Sequence, residues 1–464
     1  MLLFTIVAFI VYLAYNNDVQ HIYRLSILSL SLIAYIAWEA LTVQYTSFTI
    51  FNDWFKYTPD YAPIALFIII LIITMLFYPT IKHRYLNDNK WIPLIILINL
   101  AGLLLLPISN DILALYLIIE LQSYSLYIIT CIYNRAYGST KAAAGYFAVG
   151  AFASTILLYG IVAIYRETSL TTLSEIWNYY LIQGVSTPFP WIFILGALVI
   201  KLGLAPFHAW TIGVYVKTPT YITMYISIVA KLSIMGFIFI NMGMIYTPLL
   251  YLVFYLSLAV GAIAPLYNVN IKAILAYSGI LNFAYILIAA IQQDEAFFIY
   301  LIQYGLTHVL IFICILSIGN SIKVPSSVWS PILNVNQLVT PNIQLNITLI
   351  ICLLSLIGIP PLPGFYGKYY ILVSLIDSGQ VVEAISIIIA SVIATYYYAF
   401  IIKQLASNLT KSWYNHLSVN DKFILLNKDL PYTISLYISL ILIILLSYYM
   451  ILPTLLEGFA LLIE

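Results

Sequence analysis

Apolar runs of membrane-crossing length recur along the whole chain, and they constrain its fold more than any other feature. ALFIIILIITMLFYPT (65–80) and YLVFYLSLAVGAIAPLY (251–267) are two of them. A run of about 20 such residues spans a bilayer as a helix. Hydrophobic residues make up 63% of the 464 and charged ones only 8%, against about 25% charged in soluble domains. No soluble fold hides so much apolar surface, so the chain reads as an all-α polytopic membrane protein. Its net charge of +1 gives no electrostatic basis for binding nucleic acid. Cys131, Cys314 and Cys352 lie in apolar segments, with neither a disulfide framework nor a metal-binding spacing. They are expected to be small buried hydrophobes.

Polar clusters, proline–glycine punctuation and charges divide the chain into fourteen segments: 2–15, 24–45, 61–81, 91–107, 111–133, 140–165, 189–216, 219–246, 248–267, 271–290, 295–322, 342–378, 381–407 and 430–452. The first has no basic leader and no small-residue cleavage site, and is read as a retained helix. Basic residues then sort by side. Arg24, Lys82, Arg84, Lys90, Arg135, Lys141, Lys217, Lys272, Lys323, Lys403, Lys411, Lys422 and Lys428 fall on connections after odd-numbered segments, against Lys56 and Arg166 after even-numbered ones. A miscounted span would scramble this alternation. The positive-inside rule puts both termini on the non-cytoplasmic face, which in a mitochondrion is the intermembrane space. Outside the spans, 172–183 starts with a capping-box pattern, Thr172 to Glu175, and is expected to lie on the outer surface as a short helix. Residues 324–341 read as a proline-bearing loop, and 404–429 as an inner-side connection.

Five charges remain within the spans: Glu39, Glu120, Lys201, Lys231 and Lys368. A charge at mid-bilayer costs at least ~2.5–3.5 kcal/mol and normally marks an ion or proton path. Glu39 sits near a segment end, where snorkelling or a partner explains it. For the other four, a static ion-pair role competes with a relay. One acid and three lysines do not pair off, and a buried lysine's hold on its proton depends on its neighbours, which suits a relay better than a brace. His208 and His308 titrate near neutral pH in ordinary surroundings and are candidates for extending the path; each is equally readable as a hydrogen-bonded structural histidine. Lys272 is a further candidate, or a loop charge at the inner surface.

Two overlong segments, the seventh and the twelfth, contain helix breakers: Pro206 in one, and Pro360, Pro361, Pro363 and Gly364 in the other. Proline removes a backbone hydrogen bond, and unwound backbone at membrane depth persists only inside protein or along a cavity. Interruptions five segments apart suggest two five-helix repeats, segments 4–8 and 9–13. An odd repeat length inverts the second copy. The expected units are 1–90, 91–246, 247–407 and 408–464.

The stretches KLGLAPFHAWTIGVYVKTPT (201–220), YISIVAKLSIMGF (225–237), IKAILAYSGILNFAYI (271–286) and LIGIPPLPGFYGKYYIL (356–372) resemble the antiporter-like proton-translocating family. That family includes three membrane subunits of respiratory complex I and the Mrp cation/proton antiporters. The resemblance implies a pair between Glu120 and Lys201, a connecting lysine at Lys231 and an exit lysine at Lys368. It implies a multi-pass protein of the mitochondrial inner membrane that relays protons, driven by quinone reduction elsewhere in the complex. NADH, FMN, iron–sulfur clusters and ubiquinone would belong to partner subunits, and this chain would hold no cofactor or metal. Its partners would be other membrane-arm subunits of complex I, both antiporter-like and small, and membrane lipids. Two departures stand out. Ile212-Gly213 replaces a Pro-Asp common in the family, and Asn282 stands where histidine is frequent. A self-contained cation/proton antiporter and a purely structural membrane subunit remain as alternatives.

Overall fold

In a bilayer every backbone N–H and C=O must be satisfied within its own segment, so the apolar runs form helices. The computed structural model describes residues 2–15, 18–43, 47–80, 89–132, 137–184, 189–244, 247–321, 330, 332–338, 342–413 and 432–463. Its α-helices are α1 (Leu2–Tyr15), α2 (Val19–Val43), α3 (Tyr61–Thr80), α4 (Ile92–Leu105), α5 (Ile112–Cys131), α6 (Tyr137–Thr168), α7 (Leu173–Ile182), α8 (Trp191–Leu202), α9 (Ala209–Lys217), α10 (Thr220–Ile240), α11 (Thr247–Ile263), α12 (Ile271–Gln292), α13 (Ala296–Ser321), α14 (Ile343–Ile357), α15 (Pro363–Asp377), α16 (Val381–Trp413) and α17 (Tyr432–Ile463). Among the described residues nine helices are long and apolar enough to cross a membrane, and five shorter ones are predominantly apolar. Each of these falls on one of the fourteen expected segments. The chain is an all-α polytopic membrane protein.

Both expected breaks are present. α8 ends on Gly203 and α14 on Gly358, each in the left-handed region, at φ 66° and 92°. The backbone resumes helix at α9 and α15, and the Ala205–Pro206 and Pro360–Pro361 peptides are cis. Pro363 and Gly364 do not break a helix. Pro363 opens α15 in its first turn, where its missing N–H costs nothing.

Neighbour relations repeat along the chain. α4 packs on α5, α5 on α6, and α6 on both α8 and α9; likewise α11 packs on α12, α12 on α13, and α13 on both α14 and α15. α10 touches α4, α5, α8 and α9, just as α16 touches α11, α12, α14 and α15. α10, α12 and α13 are buried along nearly their whole length and form the middle of the bundle.

Connections after even-numbered segments bond to one another: Lys56 N donates to the Ile108 carbonyl at 2.8 Å, Asn110 N to Trp54 O at 2.8 Å and Leu173 N to Asn110 O at 2.6 Å. Among those after odd-numbered segments, Lys90 Nζ donates to Leu13 O at 3.1 Å and Ile271 N to Leu333 O at 2.9 Å.

Three details differ from expectation. Residues 48–57 hold a small antiparallel hairpin, β1 (Phe48–Ile50) with β2 (Phe55–Tyr57). Its turn residues Phe51, Asn52 and Asp53 are all left-handed, a conformation that the apolar pattern does not signal. The surface helix α7 forms where expected, but its capping box does not. The Thr172 hydroxyl instead donates to the Glu175 carboxylate at 2.5 Å, leaving the helix without a side-chain cap. Cys131 is exposed at the end of α5, whereas Cys314 and Cys352 are buried. Of the loop 324–341 only 330 and 332–338 are described; the 404–429 connection from 414 onward, and Lys82, Arg84, Arg135, Lys323, Lys422 and Lys428, lie outside the described residues.

Candidate functional site

The site begins with α5. Asp111 caps this helix, its carboxylate accepting from Leu113 N at 2.8 Å and Ala114 N at 3.0 Å. That fixes the register that carries Glu120 to mid-span. Opposite, Lys201 occupies the last turn of α8, where the helix dipole favours a cation. At the break the helical ladder ends, and Ile200 O accepts from both Gly203 N at 3.1 Å and the Trp210 indole of α9 at 2.9 Å. Lys201 Nζ lies 3.3 Å from Glu120 Oε1 and 2.6 Å from Ser123 Oγ. The paired side chains are 9% and 15% exposed. Beside them lies a cavity of about 30 Å³, lined by Gln122, Ser123, Tyr127, Tyr146, Lys201 and Trp210 among others, roomy enough for one water.

A buried polar network holds α5 in place. Asn99 of α4 donates to Gln122 O at 3.1 Å and to Ser125 Oγ at 2.6 Å, and accepts from the Tyr225 hydroxyl of α10 at 2.6 Å. Gln122 Nε2 donates back to Gly102 O at 2.7 Å. Sequence reading missed this group. Its signal was Gln122 and Ser125 flanking Glu120's face of an otherwise apolar helix.

Lys231 lies mid-α10 and is buried. Its ammonium sits over the Phe283 ring at 4.9 Å and the Tyr215 ring at 5.6 Å. Such contacts offset part of the desolvation cost. Its neighbours Ala230 and Ile234 line the Lys201 cavity. His308 on α13 is within electrostatic range of Lys231, and its ring lies tilted against those of Tyr304 and Phe312, at 5.2 and 5.0 Å. Neither of its ring nitrogens has a hydrogen-bond partner among the described residues.

Lys368 reaches back across the second break. Its ammonium donates to Leu356 O at 2.8 Å and Ile357 O at 2.9 Å, the open carbonyls at the end of α14, and lies 5.6 Å from the Tyr285 ring centroid. It therefore does for α14 what Trp210 does for α8. Gly364 N donates to Ser355 Oγ at 3.1 Å, fastening α15 to α14. Between Lys231 and Lys368 run buried tyrosines that the sequence reading did not single out. Tyr300 donates to Asn282 Oδ1 at 2.7 Å, and the Tyr285 and Tyr300 rings lie 5.8 Å apart. Tyr300, Tyr304 and His308 recur every fourth residue, as do Ser278 and Asn282; a polar stripe of that period on a membrane helix was the available signal.

Lys272 is not a loop charge. It is 1% exposed and donates to Thr218 O and Ser330 Oγ, each at 2.6 Å. His208 occupies the position before α9, close to Pro206, without a side-chain cap hydrogen bond, and its ring lies 6.3 Å from Tyr277. Glu39 shares a hydrogen bond with Tyr35 one turn earlier on α2.

Repeated neighbour relations with two interrupted helices, and a carboxylate–lysine pair within the first repeat, define an antiporter-like membrane subunit. The chain belongs to the NADH:quinone oxidoreductase/Mrp antiporter transmembrane family, whose model matches residues 109–394. It is 56% identical over 463 residues to NADH-ubiquinone oxidoreductase chain 2 of Candida albicans, covering 100% of this chain and 96% of that one. It is 42% identical over 410 residues to the protein of the same name from Debaryomyces hansenii, covering 88% of each. Among solved structures, a chain of respiratory complex I from Thermus thermophilus with bound aureothin aligns over 98% of this chain and 99% of its own, with a TM-score of 0.77 and 20% identity. A chain of the Mrp complex from Dietzia sp. aligns over 99% and 95%, with a TM-score of 0.79 and 17% identity. At those identities the likeness is one of fold.

Proposed function

We propose that this chain is a proton-translocating membrane-arm subunit of NADH:ubiquinone oxidoreductase in the mitochondrial inner membrane, with both termini on the intermembrane-space side. The observation that carries the reading is the enclosed Glu120–Lys201 pair at 3.3 Å, followed by two further intramembrane lysines. While Glu120 is close, Lys201 keeps its proton. When Glu120 is drawn away, burial favours the neutral amine, and the proton moves toward Lys231. From Lys231 it travels along the face bearing His308, Tyr304 and Tyr300 and leaves beside Lys368. The two breaks serve this path by opening carbonyls at the ends of α8 and α14. Units 91–246 and 247–407 each supply one break, the first with Lys201 and Lys231 and the second with Lys368, and they are flanked by 1–90 and 408–464. We assign Lys272 to holding α9 against α12, and His208 to the start of α9.

The chain performs no redox step in this reading. NADH, FMN, iron–sulfur clusters and ubiquinone belong to partner subunits, and quinone reduction there moves Glu120 through neighbouring membrane subunits. The names of the fungal relatives support the assignment to complex I. The test is NADH-driven proton pumping in membranes carrying Lys201→Met, with assembly followed on native gels. An assembled complex whose pumping is much reduced is expected; an assembled complex that pumps normally contradicts the relay.

A further inference from the structure

Lys201 has two partners on one helix face, and they differ in kind. Glu120 is an acceptor only, and its negative charge favours the ammonium form. Ser123, one turn further along α5, is neutral and closer, with its Oγ 2.6 Å from Lys201 Nζ against 3.3 Å to the carboxylate. The serine hydroxyl donates to Ile119 O at 2.7 Å, which turns its lone pairs toward the amine. A hydroxyl has one donor and two acceptor sites. It accepts from an ammonium, and by rotating away from Ile119 O it donates to a neutral amine. A carboxylate serves only the first of these states well.

Residues three apart on a helix are surface neighbours. Lys201 Nζ reaches both at once, so it stays on Ser123 without changing rotamer when Glu120 is withdrawn, while Trp210 bonds the end of α8. Both Ser123 and Lys201 line the cavity of about 30 Å³ that continues to Ala230 and Ile234, beside Lys231. An amine seated on Ser123 is at the wall of that cavity and still hydrogen-bonded.

We infer that Ser123 is a positioning residue for the transfer: a neutral second seat at which Lys201 gives up its proton once the Glu120 carboxylate is withdrawn. The proton leaves Lys201 Nζ, whose nitrogen keeps the electron pair, and enters the cavity toward the Lys231 amine. Ser123 takes part through Lys201 and gains or loses no proton itself. This inference rests on the relay reading above and adds to it the group that keeps the amine in place during the step.

The experiment compares protons pumped per NADH oxidised in native membranes carrying Ser123→Ala, Ser123→Cys, Ser123→Thr and Lys201→Met, with assembly checked on native gels. Ser123→Ala and Ser123→Cys lose the strong acceptor, and a fall of roughly tenfold or more in pumping is expected, the scale of one hydrogen bond to a charged donor. Ser123→Thr restores the hydroxyl and is expected to recover most of the pumping, which a mere volume effect does not predict. Normal pumping in an assembled Ala or Cys variant, with Lys201→Met impaired, overturns the role of Ser123 and leaves the relay standing. Normal pumping in assembled Lys201→Met overturns the relay itself. If the Ala variant does not assemble, the Cys–Thr contrast decides, and equal pumping in those two contradicts the proposal.

Discussion

The Lys272 ammonium donates to the Thr218 carbonyl at 2.6 Å, tying the end of α9 to the start of α12 across 54 residues of chain. Its second bond, to Ser330 Oγ, is equally short. Replacing Lys272 with Met leaves a buried carbonyl and hydroxyl without this donor. Hydrogen bonds to charged groups contribute about 1.5–3 kcal/mol. The Lys272→Met complex is therefore expected to assemble in lower yield and to unfold at a lower temperature, while its assembled fraction pumps normally. Stable complex with lost pumping would move Lys272 into the relay.

Asp60 immediately precedes α3, and burial pushes its carboxyl up to about 6. Its Oδ1 is enclosed with no hydrogen-bond partner among the described residues. A carboxyl with a folded value above its unfolded one, about 3.9, binds more protons in the folded state. Stability therefore falls as pH rises through that window and levels off above about 6. Asp60→Asn is expected to raise the unfolding temperature of the solubilised complex at pH 7.5, and the gain is expected to shrink by roughly half at pH 5. An equal gain at both pH values would mean that ionisation of Asp60 is not the cause.

Gly358 has φ 92°, and a Cβ there would lie 3.2 Å from Lys368 Cδ. Alanine meets both a disfavoured backbone region, at a cost of about 1–3 kcal/mol, and the lysine stem. Gly358→Ala is expected to shift Lys368 off the Leu356 and Ile357 carbonyls and lower pumping in whatever complex assembles. Unchanged pumping would show that the position of Lys368 is not critical to exit.

Asn99 bonds the α10 hydroxyl of Tyr225 and the α5 hydroxyl of Ser125 at once. Asn99→Leu strands the Tyr225 hydroxyl, at about 1–3 kcal/mol for a buried group left unsatisfied, while Ser125 keeps its bond to Gln122 O. A lower unfolding temperature is expected, and the Asn99→Leu, Tyr225→Phe double variant is expected to lose less than the sum of the two singles, because the sites share one bond. Strict additivity would count against the network.

The architecture was legible because the bilayer penalises misplaced charge so heavily. Polar clusters, charges and proline–glycine punctuation delimited the fourteen segments, and the separation of Lys56 and Arg166 from Lys90, Lys217 and the other basic residues agreed with that count. Pro206 and Pro361 exposed the two breaks. Glu120 and Lys201 were legible for the same reason, since each stands out in an apolar run. What the sequence hid were contacts made by neutral groups. Ser123, Asn99 and Tyr300 cost little to bury individually, and their partners lie on other helices. Lys272 was ambiguous because a lysine two residues into a helix is ordinarily at the surface; the Thr218 carbonyl that buries it belongs to a distant segment. The hairpin at 48–57 was missed because three-residue strands carry too little alternation to register.

The most direct test of the central claim exchanges the two charges, with Glu120→Lys and Lys201→Glu in the same chain, and measures protons pumped per NADH oxidised. An exchanged pair preserves an ion pair between α5 and α8, and so preserves what a structural brace requires. The relay account predicts a complex that assembles and pumps at a small fraction of the normal stoichiometry, because the switchable amine no longer faces the Lys231 side from the end of α8. Normal stoichiometry in the exchanged complex would contradict it, and would leave Glu120 and Lys201 as a brace between two helices.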